Sequence, residues 1–141
     1  MPTGGITLSI ESQFENIFLV GQAINKIVSS IPVSEKTAFE MELAVVEALN
    51  NAVEHAHHLQ RAKRVKVRVS LESDLVSFTV IDQGAPFDFE AAMRTAAIME
   101  NVPEVERGRG LGIIRSLMDE IKYERKGKAN HITLIRYLKR S

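Results

Sequence analysis

The feature that most restricts the fold is a change of hydrophobic period near residue 60. From 35 to 58 there is neither glycine nor proline. Apolar residues fall at 38, 39, 41, 43, 45, 46, 48, 49, 52, 53 and 56, a helical spacing dense enough for a long helix buried along most of its surface. Past residue 64 the period drops to two. Val65, Val67, Val69 and Leu71 alternate with Lys66, Arg68 and Ser70, and Val76, Phe78 and Val80 alternate with Ser77 and Thr79. Two strands joined at Ser73-Asp74 make a hairpin with one apolar face, and a buried helix is the element that can cover it.

The remaining segments fit around that pair. Ile6, Leu8 and Ile10 alternate as a short strand. Phe14, Ile17, Phe18, Ile24, Ile27, Val28 and Ile31 recur as a helix, expected to be mostly core, with Ser12 placed to cap its start and Pro32 ending the element. Ser34 is a second cap, with Thr37 where a full capping box has Glu or Gln. Asp82-Gln83-Gly84-Ala85-Pro86 breaks the hairpin's second strand. A short helix is expected at 89–99, a break at Pro103, a helix at 111–120, and strands at 121–126 and 131–138. The order β-α-α-β-β-α-α-β-β lacks βαβ alternation. It therefore predicts an α+β fold, a two-layer sandwich with helices on one face of an antiparallel or mixed (mostly antiparallel) sheet. The 141 residues suit one domain spanning 1–141.

Composition excludes more than it proposes. There are no cysteines, so no disulfide, thiolate metal site or cysteine nucleophile. Lys and Arg total 18 against 18 Asp and Glu, which argues against nucleic acid as a direct partner. The balance is a sum of unequal regions. Residues 61–68 carry five basic residues and no acid, residues 122–140 seven against Glu124 alone, and residues 82–106 six acids against Arg94 alone. That unevenness weakens the argument from net charge and leaves the basic strands as a docking face for an acidic protein. The first residues lack the pattern of a signal peptide and no apolar run is long enough for a membrane span, so a cytoplasmic address without a membrane partner is expected.

Three stretches could carry chemistry. Glu47, Asn51 and His55 recur every fourth residue on the long helix, forming a polar stripe between apolar neighbours, where burial costs free energy without partners. By spacing alone a solvated strip reads as well. Asp82-Gln83-Gly84-Ala85-Pro86-Phe87-Asp88 ends an apolar strand, where an aspartate can accept from a ligand amine and a glycine admits close approach, although a plain turn uses the same residues. Gly108-Arg109-Gly110-Leu111-Gly112 opens a helix, where free N–H groups can cradle phosphate or a glycine run can act as a hinge. It matches neither a Walker A loop nor GxGxxG. His55, His57 and His58 bring only two imidazoles to one face, too few for a zinc site.

Taken together and in that order, the three stretches resemble the GHKL (histidine-kinase-like) ATPases, and within them the anti-sigma-factor serine/threonine protein kinases. Glu47–His55 resembles the N box. Asp82–Asp88, with its Pro86-Phe87-Asp88 ending, resembles the first glycine box, and Gly108–Glu120 the second. The resemblance runs from about residue 6 to 140. It implies binding of ATP and ADP with Mg2+ held by Asn51, Glu47 as general base toward a protein hydroxyl, and Asp82 accepting from the adenine amine beside Gly84. It further implies a phosphate turn at Gly108, Gly110, Leu111 and Gly112 with Arg107 or Arg109 near the γ-phosphate, an ATP lid at 88–107, and Thr133 near the adenine in place of the family's Gly-Thr pair. His55 stands either at the nucleotide mouth or in a structural role, the latter favoured. The implied partners are an anti-anti-sigma (antagonist) protein and a sigma factor, with a homodimer as the working form. The alternative is a nucleotide-gated binding module with little turnover. A histidine kinase acting in trans is disfavoured by the Pro86-Phe87-Asp88 ending and by the lack of room for a dimerisation hairpin.

Overall fold

The structure is a computed structural model, and it describes residues 4–57, 64–86, 88–99 and 109–138. The elements run β1 (Gly4–Glu11), α1 (Phe14–Val28), α2 (Glu35–His57), β2 (Arg64–Leu71), β3 (Leu75–Asp82), α3 (Phe89–Met99), α4 (Arg109–Leu117), β4 (Glu120–Lys126) and β5 (Ala129–Tyr137). The strands form a five-stranded sheet in the order β1-β2-β3-β5-β4, with α1, α2 and α4 against one face. It is the α+β two-layer sandwich expected from the period change.

Every pairing is antiparallel, so the sheet is not mixed. Direction counting explains this. Between β1 and β2 the chain passes through two helices that run antiparallel to each other, an even number of passes, so β2 returns opposite to β1. The β2–β3 and β4–β5 connections are tight turns, which permit only antiparallel neighbours. The second turn is Gly127-Lys128, where Gly127 sits at φ 57°. A two-residue hairpin loop needs such a positive φ at its first position, and glycine adopts it without strain.

The core lies between the layers. Val65, Val67 and Val69 of β2, Val76, Phe78 and Val80 of β3 and Leu134 of β5 point at Met41, Val45, Leu49 and Val53 of α2 and at Ile114 of α4. The alternation in β2 and β3 thus reads directly as inside and outside. α1 seals the outer flank with Ile17, Ile24 and Val28, and Asn25 Nδ2 donates to Glu42 Oε1 of α2 at 2.8 Å. Its aromatic residues do not follow the expectation of burial. Phe14 and Phe18 face outward, because α1 packs on α2 along the narrower stripe defined by Ile17, Val20, Gly21, Ile24 and Val28.

Two boundaries also moved. α1 ends at Val28, four residues before Pro32, and its N-cap is Gln13 with no side-chain cap bond. Ser12 is fully buried and its hydroxyl has no partner among the described residues, so it is not the cap. Ser34 is one: its Oγ accepts from Thr37 N at 3.0 Å, and the Thr37 and Ser34 hydroxyls lie 3.0 Å apart. α4 begins at Arg109 and ends at Leu117, earlier at both ends than the expected 111–120, because Glu120 already belongs to β4. Among the described residues no helix is long and apolar enough to cross a membrane.

Candidate functional site

Three contacts settle which ends of the elements meet. Arg136, near the end of β5, bonds Glu40 in the first half of α2 and the carbonyl of Leu117 at the end of α4. Asn130, at the start of β5, pairs with Asp82 at the end of β3. From Arg136 to Asn130 the strand covers about 20 Å. From Glu40 to Asn51 the helix advances about 16 Å, and from Leu117 back to Gly110 about 10 Å. The C-terminal half of α2, the start of α4 and the end of β3 therefore converge at one end of the sandwich. All three sequence stretches lie there.

Asp82 is the buried carboxylate at that end, 3% exposed on the helix-facing side of the sheet. Its Oδ1 accepts from Gly84 N at 2.8 Å and from Asn130 Nδ2 at 3.0 Å. Asn130 is 0% exposed, and sequence reading missed it. The signal that could have found it is parity: on β5 the apolar positions Ile132 and Leu134 face the helices, so Asn130 must share their face. The same parity corrects Thr133. It pairs with Thr79, hydroxyl to hydroxyl at 3.1 Å, on the opposite face of the sheet from Asp82. A threonine three residues from Asn130 along a strand of period two cannot reach the carboxylate.

On α2, Glu47 is half-buried, and that burial raises its carboxyl above the ordinary glutamate range. Asn51 lies one turn further on and is exposed, with His55 the next step along the helix. A helix leaves the N–H groups of its first three residues without an intrahelical acceptor, and on α4 these belong to Arg109, Gly110 and Leu111. Leu111 turns its side chain onto the core, so its contribution to an anion is through the backbone. Arg107, Gly108, Phe87, His58 and the 100–107 part of the expected lid lie outside the described residues. Residues 89–99 of that lid form α3, whose first residue Phe89 stacks on Tyr123 with ring centroids 5.7 Å apart.

Two concavities lie elsewhere. One of about 560 Å³ sits at the opposite end, between the start of α2 and the end of α4, lined by Ser34, Thr37, Glu40, Asp119 and Arg136 among others. A groove of about 320 Å³ runs between α1 and α2 beside Phe14, Phe18, Phe39 and Val46. Neither contains Asp82, Glu47 or the α4 glycines.

A buried acceptor at a strand end, an amide and a half-buried carboxyl on one helix, and the N-terminus of another define a sandwich domain suited to a nucleotide. The chain belongs to the histidine kinase-like ATPase domain family, whose pattern matches residues 10–136. It is similar to the serine-protein kinase RsbW of Bacillus velezensis, at 28% identity over 84% of this chain and 77% of that one. It is also similar to RsbW of Staphylococcus epidermidis, at 28% identity over 96% of this chain and 87% of that one. In fold it is similar to a chain of the SiaB–SiaC complex from Pseudomonas aeruginosa, with a TM-score of 0.68 at 14% identity over 94% of this chain and 88% of that one.

Proposed function

We propose that this protein is an ATP-dependent serine/threonine kinase that acts as an anti-sigma factor and phosphorylates an anti-anti-sigma protein. The observation that carries the reading is the placement of Glu47. Its half-buried carboxyl, raised by desolvation, stands one turn before Asn51 at the end of the sandwich where Asp82 and the start of α4 also lie. Transfer to a hydroxyl calls for a base beside the phosphates, and Glu47 supplies a carboxyl there.

Asp82 accepts from the adenine amine beside Gly84, and the N–H groups of Arg109, Gly110 and Leu111 face the phosphates, with Gly108 and Gly112 belonging to the same phosphate turn and Arg107 or Arg109 facing the γ-phosphate. Mg2+ fits the residues present, because it keeps water and phosphate oxygens and needs few protein ligands, and exposed Asn51 offers one amide oxygen. When bound, the metal neutralises charge on the phosphate oxygens. Glu47 orients the incoming hydroxyl and takes its proton. Exposed Phe18 (68%), Leu19 (61%) and Phe39 (57%) on α1 and α2 support a protein-binding face, in keeping with a homodimer and with antagonist and sigma-factor partners in the cytoplasm.

The test is incubation with Mg-ATP and the cognate antagonist, followed by mass spectrometry for phosphoserine or phosphothreonine. Transfer is expected from the wild type and lost in Glu47→Ala with ATP binding retained. Regulation in cells that survives Glu47→Ala intact would instead establish a nucleotide-gated binding module.

A further inference from the structure

Asn130 is held from both sides, and the chemistry of its neighbours leaves one orientation for its amide. Tyr123 Oη lies 2.6 Å from its Oδ1 and Arg125 Nη1 3.1 Å from the same atom. A guanidinium only donates, so the atom facing it is the amide oxygen. The amide nitrogen then faces acceptors alone: Asp82 Oδ1 at 3.0 Å, the Ala85 carbonyl at 3.0 Å and the Gly84 carbonyl at 3.3 Å. Flipping the amide would set a donor against Arg125 and an acceptor against a carboxylate and two carbonyls. Arg125 Nη1 also donates to the Gly84 carbonyl at 2.6 Å, and Gly84 N closes the ring on Asp82 Oδ1. Four side chains and the turn after β3 thus form one hydrogen-bonded lock behind a single carboxylate.

We propose that Asn130 is the positioning residue that makes the site select a 6-aminopurine over a 6-oxopurine. This rests on Asp82 being the base-reading residue. With two donors on Oδ1, the carboxylate plane is fixed and the group is kept in an accepting role, which suits an exocyclic amine and repels a 6-oxo oxygen. Without Asn130 the carboxylate gains freedom to rotate out of the plane that meets an exocyclic amine, and the Gly84–Ala85 carbonyls lose the donor that pins them. Tyr123 and Arg125 act one step further back, by dictating which way the Asn130 amide points. Because Phe89 stacks on Tyr123, the first turn of α3 buttresses the same lock.

The experiment is titration calorimetry on the full chain with Mg-ATP, Mg-inosine triphosphate and Mg-tripolyphosphate, the last as a probe without a base. The proteins are the wild type, Asn130→Leu and Tyr123→Phe, the last keeping the stacked ring and removing only the hydroxyl. The ratio of ATP to inosine triphosphate affinity should fall roughly tenfold or more in Asn130→Leu and by less in Tyr123→Phe, with tripolyphosphate affinity unchanged. Folded variants that keep the wild-type ratio would overturn the role of Asn130 while leaving the base site intact. A parallel loss of tripolyphosphate affinity would also overturn it, by showing general damage. A wild type that does not distinguish the two nucleotides would overturn the reading of Asp82 itself.

Discussion

Arg136 of β5 donates to Glu40 of α2 at 3.3 Å and, with the same Nη1, to the Leu117 carbonyl at 2.6 Å. One guanidinium ties the sheet to α2 and α4 at the end of the sandwich away from the nucleotide motifs. Both partners of the ion pair are about a fifth exposed, at 22% and 21%, so water screens it less than a surface pair. Arg136→Met keeps much of the stem and removes the donors. It should cost about 1–3 kcal/mol by leaving a half-buried carboxylate and a carbonyl without their donor. Urea unfolding should show a lower midpoint at unchanged slope, with nucleotide affinity of the folded protein unaltered.

Glu47→Gln should separate catalysis from stability. Loss of a general base is expected to lower phosphoryl transfer by about 10²- to 10⁴-fold while nucleotide binding persists. Burial raises the Glu47 carboxyl, so the folded state holds its proton more tightly than the unfolded state does. Stability is then lost as pH rises through the folded value, and none is lost well below the ordinary glutamate pKa. The glutamine variant should melt higher than wild type at pH 7, by on the order of 1–3 °C given the half exposure, and the gap should close in acid. Thermal melts from pH 3 to 8 measure it.

Ser12 and Ser34 look alike as cap candidates but differ in the fold. Ser34→Ala removes the bond from Thr37 N and should cost about 1 kcal/mol. Ser12→Ala removes a buried hydroxyl that has no partner among the described residues, and should be neutral or stabilising by a few tenths of a kcal/mol. Paired denaturation curves distinguish them, and a Ser12→Ala loss equal to that of Ser34→Ala would contradict the burial seen here.

At Gly21 a Cβ would come within 2.8 Å of Val46 Cγ2, and a β-branched side chain on a helix has few rotamers into which to retreat. Gly21→Ala gains about 1 kcal/mol in helix propensity and loses about 1–3 kcal/mol to overpacking, so net destabilisation is expected. Adding Val46→Ala should recover part of the loss, as a double-mutant cycle would show.

Thr133→Val tests the correction to the adenine site. Its hydroxyl bonds Thr79 on the outer face of the sheet, so stability should fall by about 1 kcal/mol while ATP affinity stays within roughly twofold of wild type. A large loss of affinity would place Thr133 at the base after all.

The period of two in β2 and β3, the long helix between 35 and 57 and the order of the elements follow from hydrophobic spacing, which is local along the chain. So do the positions of Glu47 and Asn51 on one helix and of Asp82 at a strand end, since residue type and spacing are enough to mark them. Which residues meet across elements is not local. The antiparallel direction of β2 against β1 comes from the pairing of α1 with α2. The outward-facing Phe14 and Phe18 come from the narrow stripe by which that pair packs. The choice of Asn130 over Thr133 beside Asp82 comes from register between β3 and β5, where a single residue of offset reverses the face. Spacing along a chain decides what an element presents on each side, and only packing decides which side becomes the interior.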